Sequence, residues 1–226
     1  MPKFKLPLVL SAVLFLIANK KNKERIEWLV WKISFRNFKR HPMVSDECTN
    51  PDIGHGNGMA RTTGETILFF LLFSKLRKNY RLVAGIDLGC GDGVVLKYFK
   101  ISGLRQAGIE YDESLSRLAQ FNNPDAIIIT GDFTNEKIIA KTLISLDLDN
   151  PTIKNEGWEL LVYAFNPIVP EKLLDSLDLI AKRRSFILIL KNPNCLPLLL
   201  GKENYEVVKF LNKGNLALIK VTKFCI

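Results

Sequence analysis

Three glycines at alternate positions, Gly89, Gly91 and Gly93, follow an apolar run that ends on the acid Asp87. Glycine turns where other residues strain, and it lets backbone approach a ligand that a side chain would hold off. Directly after the turn, Val94, Val95, Leu96 and Phe99 set up an apolar pattern at helical spacing. Strand, glycine turn and helix in this order bring a small ligand against backbone amides. The spacing bears on which ligand. A dinucleotide fingerprint has the form Gly-x-Gly-x-x-Gly, and its third glycine would fall on Val94. Asp87 stands just ahead of the first glycine, and Asp92 lies inside the turn. A pyrophosphate would meet two like charges there. A ligand presenting a cationic or neutral polar group suits the turn better.

The chain around the turn alternates between short apolar runs and amphipathic stretches from Arg81 onward. Strands are predicted at Leu82–Asp87, at QAGIE ending on Glu110, and at AIIIT ahead of Gly131-Asp132. Two more are predicted at WELLVYAF, ahead of Asn166-Pro167, and at SFILILKN. Helices are predicted over Val94–Ser102, over SLSRLAQFN behind a cap at Asp112 or Ser114, and over EKLLDSLDLIAKR. NEKIIAKTLISL reads as a helix or long turn, and YEVVKFL and LALIKVTKF as two closing strands separated by Gly214-Asn215. Apolar runs with polar ends belong in a mostly parallel sheet covered on both faces. The expected fold is α/β, a doubly wound, mostly parallel sheet with its ligand beyond the carboxyl ends of the strands. Upstream, Thr63 or Gly64 is placed to cap an apolar helix running to about Lys78.

The segment IDLGCGDG resembles motif I of class I S-adenosylmethionine-dependent methyltransferases, (D/E)-x-G-x-G-x-G. Asp87, Gly89, Gly91 and Gly93 match it position for position. The resemblance extends over about residues 62–224. Glu110 matches the acid that hydrogen-bonds the ribose hydroxyls in that family. Gly131-Asp132-Phe133 matches the pair that holds the adenine amine and ring, with Ile109 or Tyr111 also available to pack the ring. Asn166-Pro167 falls where motif IV falls, and the paired strands around Gly214 match the family's closing hairpin, for seven strands in all. The resemblance implies a Rossmann-like methyltransferase fold with S-adenosylmethionine as cofactor. It also implies methyl transfer to an acceptor by in-line displacement, with no metal and no covalent nucleophile required.

The site residues implied toward the cofactor are Asp87, Gly89, Gly91, Gly93, Glu110, Tyr111, Asp132 and Phe133. Arg61, Thr62 and Thr63 join them from the loop upstream, where they would reach the cofactor carboxylate. The other reading of that loop is a helix cap by Thr63 with Arg61 in solvent. Asn166 is the implied catalytic contact, against a simple turn-forming Asn-Pro. Amino-methylating members often carry (D/N)-P-P-(F/Y), whereas this chain has Asn-Pro-Ile-Val-Pro. The base-stacking aromatic is missing, which disfavours a nucleobase substrate. A protein amine, a small molecule or a lipid-linked acceptor fits better than RNA. Two other readings stay open: a nucleotide-cofactor oxidoreductase, opposed by the glycine spacing, and a cofactor-binding scaffold without methyl transfer.

Residues 1–40 read as an apolar, basic helical extension, residues 41–61 as a loop and residues 62–226 as the methyltransferase-like domain. Leu6–Ala18 is continuously apolar except for Ser11 and is flanked by lysines. As a helix it spans roughly 20 Å, short of a ~30 Å hydrocarbon core, and no small-x-small cleavage site follows it. Trp28, Trp31, Phe35 and Phe38 then fall on one helical stripe among Lys32, Arg36, Lys39 and Arg40. Such a helix suits an anionic membrane surface, and equally a helix packed on the domain with its lysines in solvent. The net charge of +9 suits an acidic partner, and equally a solvated basic face. The four cysteines share no Cys-x-x-Cys spacing, and only His41 and His55 are present to complete a metal site. That argues against structural zinc and for a reducing compartment. The expected location is therefore cytoplasmic, with membrane association through the N-terminal extension as one of its two readings.

Overall fold

The computed structural model describes residues 63–148, 160–165, 170–191, 196–211 and 216–224. The expectations for residues 1–40 and 41–61, for Arg61 and Thr62, and for Asn166-Pro167 lie outside these residues. The chain order is α1 (Thr63–Tyr80), β1 (Ala84–Leu88), α2 (Val94–Ile101), β2 (Arg105–Glu110), α3 (Glu113–Asn122), β3 (Ile127–Thr130) and α4 (Glu136–Ser145). It continues with β4 (Leu160–Phe165), α5 (Pro170–Ala181), β5 (Phe186–Lys191), α6 (Leu196–Leu199), β6 (Tyr205–Leu211) and β7 (Leu216–Val221).

The strands form one seven-stranded sheet in the order β3-β2-β1-β4-β5-β7-β6. The first five pair in parallel, and β7 runs antiparallel to both β5 and β6. Every residue of β1 and β5 is buried, as expected of strands covered on both faces. On one face, Ile86, Leu88, Ile109 and Leu188 pack against Ile139 and Leu143 of α4 and Leu173 and Leu177 of α5. On the other, Leu161, Tyr163, Ile187 and Ile189 meet Phe69 and Phe73 of α1 and Tyr98 and Phe99 of α2. Phe69 lies edge-on to Tyr163 at 5.5 Å between centroids and stacks on Tyr98 at 6.0 Å. These are favoured aromatic arrangements.

Local chemistry sets the element ends. Asp112 caps α3, its carboxylate accepting from the Leu115 amide at 2.9 Å, and Asn135 caps α4 through the Lys137 amide. Of the two caps offered for α3 by the sequence, Asp112 is the one used. NEKIIAKTLISL is a helix rather than a long turn. α1 runs two residues past Lys78, to Tyr80, and ends with Arg81 at φ 53 and the Leu82 amide bonded to the Arg77 carbonyl. That is a left-handed helix stop, where glycine is the usual occupant. It consumes Leu82, so β1 starts at Ala84 and runs through Leu88 rather than ending at Asp87. The four-residue α6 has no strong periodic signal in the sequence.

Candidate functional site

The sheet reverses direction of growth between β1 and β4, since β2 and β3 lie to one side and β5 to the other. In open α/β sheets ligands settle at the carboxyl ends of the strands beside such a point. The glycine turn follows β1 there. Gly89, Gly91 and Gly93 have φ of 77, 54 and 80, all in the left-handed region. Each is therefore glycine for a conformational reason. The turn is held down on β2. The amides of Gly89 and Cys90 both donate to the Ile109 carbonyl, at 2.9 and 3.0 Å.

Glu110 completes that attachment. One of its carboxylate oxygens accepts from the Gly91 amide at 2.7 Å, and the other from the Asp112 amide at 3.0 Å. Its backbone carbonyl accepts from Gly131, the first residue after β3. Glu110 thus ties together the loops after β1, β2 and β3, and it is only 5% exposed. A carboxylate carries about four acceptor positions, and these two bonds use both of its oxygens. The sequence resemblance implies the ribose contact; the bond to the glycine turn is an addition that spacing alone did not reveal.

The other matched residues gather at the same edge. Asp87 is buried in β1, in register with Gly108 of β2 and Tyr163 of β4. Asp132 is half-buried, and its carboxylate accepts from the Thr134 amide at 2.8 Å, which fixes the bend after β3. Phe133 is half-buried against the core. A Cβ added to Gly89 would stand 3.9 Å from the Phe133 ring, and one added to Gly91 would meet nothing within 4 Å. The turn therefore has open space over its backbone, bordered by an aromatic ring. Tyr111 is 47% exposed, just beyond Glu110. Thr63 is the first residue of α1. α1 runs against the strands: Phe69 lies on Tyr163, and Arg77 reaches the Ser102 carbonyl past the end of α2. Its first turn is therefore directed toward the carboxyl edge of the sheet.

Cys90 sits inside the turn as a buried filler, in contact distance of Gly108, where any Cβ would stand 2.6 Å from its sulfur. Burial pushes its thiol well above the usual range, and the charges of Asp87, Glu110 and Asp92 push it further. Three carboxylates therefore act on one small turn. Two residues unnoticed in the sequence support it from below. Asn122 and Asn123, at the end of α3, donate through their side-chain amides to the Asp92 and Gly93 carbonyls at 2.9 and 3.0 Å. The only hint was a pair of amides at a helix end.

A cleft of about 560 Å³ lies at the other end of the sheet, lined by Ser74, Arg77, Lys78, Arg81 and Ser102. The carboxyl ends of α1 and α2 converge on it, and their carbonyls favour the cations found there. It is a helix-terminus feature, remote from the glycine turn. Among the described residues no group of three His, Cys, Asp or Glu is placed to hold a metal ion, and no helix is long and apolar enough to cross a membrane.

No protein-family model and no curated sequence matches the chain. Solved structures do share its outline. Magnesium protoporphyrin IX methyltransferase from Synechocystis PCC 6803, with bound SAM, aligns over 87% of this chain and 97% of its own at 13% identity, with a TM-score of 0.47. An RNA methyltransferase from Salinibacter ruber, in complex with S-adenosyl-L-homocysteine, aligns over 74% and 97% at 13% identity, with a TM-score of 0.46. WbdD aligns over 81% of this chain and 45% of its own at 18% identity, with a TM-score of 0.48.

Proposed function

We propose that the chain is an S-adenosylmethionine-dependent methyltransferase. The observation that carries this reading is the left-handed glycine turn surrounded by Asp87, Asp92 and Glu110. A dinucleotide would bring its pyrophosphate against three carboxylates, whereas a sulfonium cofactor with an amino group brings positive charge to them. The sheet supports the same choice. A dinucleotide fold extends its sheet in the order 3-2-1-4-5-6, but here the antiparallel β7 stands between β5 and β6.

On this reading the open backbone at Gly89 and Gly91 takes the amino acid end of the cofactor. Glu110 accepts the ribose hydroxyls, Asp132 accepts from the adenine amine, and Phe133 and Tyr111 border the ring. Arg61, Thr62 and Thr63 are proposed as contacts to the cofactor carboxylate. Bound there, the cofactor supplies a methyl group on a charged leaving group. The protein's share is alignment of the acceptor, which is worth up to roughly 7–11 kcal/mol in favourable reactions. Asn166, next after β4, is proposed as the acceptor contact. The acceptor is proposed as a protein amine, a small molecule or a lipid-linked group in preference to RNA.

Residues 1–40 are proposed to hold the enzyme on an anionic membrane surface with the domain in the cytoplasm. The support is the pairing of Leu6–Ala18 with the Trp28, Trp31, Phe35, Phe38 stripe and its basic neighbours. Calorimetry tests the main reading. The chain should bind S-adenosylmethionine or S-adenosylhomocysteine and give no heat with NAD; the reverse result would sink it. Conversion of S-adenosylmethionine to S-adenosylhomocysteine then separates an enzyme from a binding scaffold.

A further inference from the structure

Three cations surround the cleft at the amino edge of the sheet. Arg77 and Lys78 come from the last turn of α1, and Arg81 from just past its end. The run SKLRKNYRL, residues 74–82, holds four cations and no acid. No acid lines the cleft. Among the described residues, carboxylates pair with Lys100, Arg117, Arg183, Lys202 and Lys220, and none of those pairs takes a residue of the cleft. The Arg77 guanidinium is fixed in place. It donates to the Ser102 carbonyl at 3.2 Å and lies against Gly103, where an added Cβ would come within 2.5 Å of Nη1 and 2.9 Å of Cζ. Ser74 donates its hydroxyl to that of Ser102 at 3.4 Å, and both line the cleft. The Ser102 hydroxyl accepts that bond and keeps its own proton to give.

The ends of α1 and α2 explain part of the charge, but their carbonyls are already taken. The Arg77 carbonyl accepts from the Leu82 amide, and those of Tyr98, Phe99 and Lys100 accept from Ser102, Leu104 and Gly103. Three like charges around one cavity repel one another. Arg81 also holds a left-handed position where glycine is the less costly residue. An anion in the cleft removes the repulsion and gives each donor an acceptor. We propose that this cleft binds a phosphate group. Its volume of about 560 Å³ is that of a small-molecule site, and guanidinium, ammonium and hydroxyl donors suit phosphate oxygens. The five residues of β1 put it roughly 16 Å from the glycine turn, so it is separate from the site proposed for the cofactor. The phosphate is carried by a soluble ester or by a lipid headgroup, and the test separates the two.

The test uses the full chain and two pairs of probes. Calorimetry compares glycerol 3-phosphate with glycerol, and flotation compares phosphatidate with phosphatidylcholine vesicles. The double variant Lys78→Gln, Arg81→Gly removes two of the three charges, and glycine suits the left-handed backbone at position 81, so its melting temperature should be kept. The expected result is that glycerol 3-phosphate binds at least tenfold tighter than glycerol, and that the variant loses about tenfold of that affinity. Its affinity for S-adenosylhomocysteine should be unchanged. This outcome assigns the phosphate to a soluble ester. Weaker flotation of the variant on phosphatidate, with no response of either protein to glycerol 3-phosphate, assigns it to a lipid headgroup. If the double variant does not fold, Lys78→Gln alone, at an exposed position, gives the same readout with a smaller loss. Equal binding of both soluble probes together with equal flotation of parent and variant overturns the proposal. So does an affinity for glycerol 3-phosphate that survives intact in the folded variant.

Discussion

Glu110 bonds the Gly91 amide while lying where a ribose is expected, so its removal acts twice. Glu110→Ala should weaken S-adenosylhomocysteine binding by about 1.5–3 kcal/mol, the range for hydrogen bonds to a charged group. It should also loosen the turn, seen as faster amide exchange at Gly91. Unchanged affinity in calorimetry would place the ribose elsewhere. Glu110→Gln keeps one carbonyl acceptor and should fall between the two. Cys90 gives a second residue-level expectation. Its thiol is raised by burial and by three carboxylates, so it stays protonated where an ordinary cysteine begins to ionise. Alkylation at mildly alkaline pH followed by peptide mapping should find Cys90 unmodified in the native protein and modified in denaturant. The folded pKa lies above the unfolded one, so this group's contribution is complete below the unfolded pKa and is lost as pH rises past it. Asp87, Asp92 and Glu110 were all legible in the sequence as acids at strand ends or in the turn. That Glu110 grips Gly91, and that Asn122 and Asn123 grip the carbonyls after them, was not. Those bonds join residues 19 to 30 positions apart, and no local pattern encodes such a distance.

The strands and helices that carry the site were largely legible because burial on both faces demands continuous apolar runs, and helices demand a stripe. The end of α1 was not. Arg81 adopts the left-handed stop usually given to glycine, so the glycine signal for a helix end was absent. The approach of β1's turn to β2 yields a prediction at this scale. Gly108 lies in β2 under Cys90, and an added Cβ would come within 2.6 Å of its sulfur and 3.1 Å of Leu96. Gly108→Ala should therefore destabilise by about 1–3 kcal/mol, the usual cost of overpacking. Chemical denaturation measures it. Cys90→Ala in the same chain should recover part of the loss, because it removes the sulfur, and the two changes should be non-additive as expected of neighbours. Full additivity would mean the turn is not pressed on β2.

At the scale of the molecule, the proposed anchor and the domain should separate. The described sheet and helices begin with Thr63, and α1 supplies Phe69, Phe73 and Leu76 to the core. Removal of residues 1–40 leaves that helix whole. The truncated chain should bind S-adenosylhomocysteine and no longer float with anionic vesicles, while the full chain floats. Aggregation of the truncated chain, with no flotation of the full one, would make the extension part of the core instead. One feature of the sheet bears on how the chain is made. β7 comes after β6 in sequence yet lies inside it, against β5. While the nascent chain emerges from the ribosome, β5 is complete some 25 residues before its neighbour appears. Through that interval the open side of a strand that is apolar up to its last residue offers its backbone to any passing chain. Slowing translation between β5 and β7 should therefore raise aggregation during synthesis and leave the stability of the finished protein unchanged.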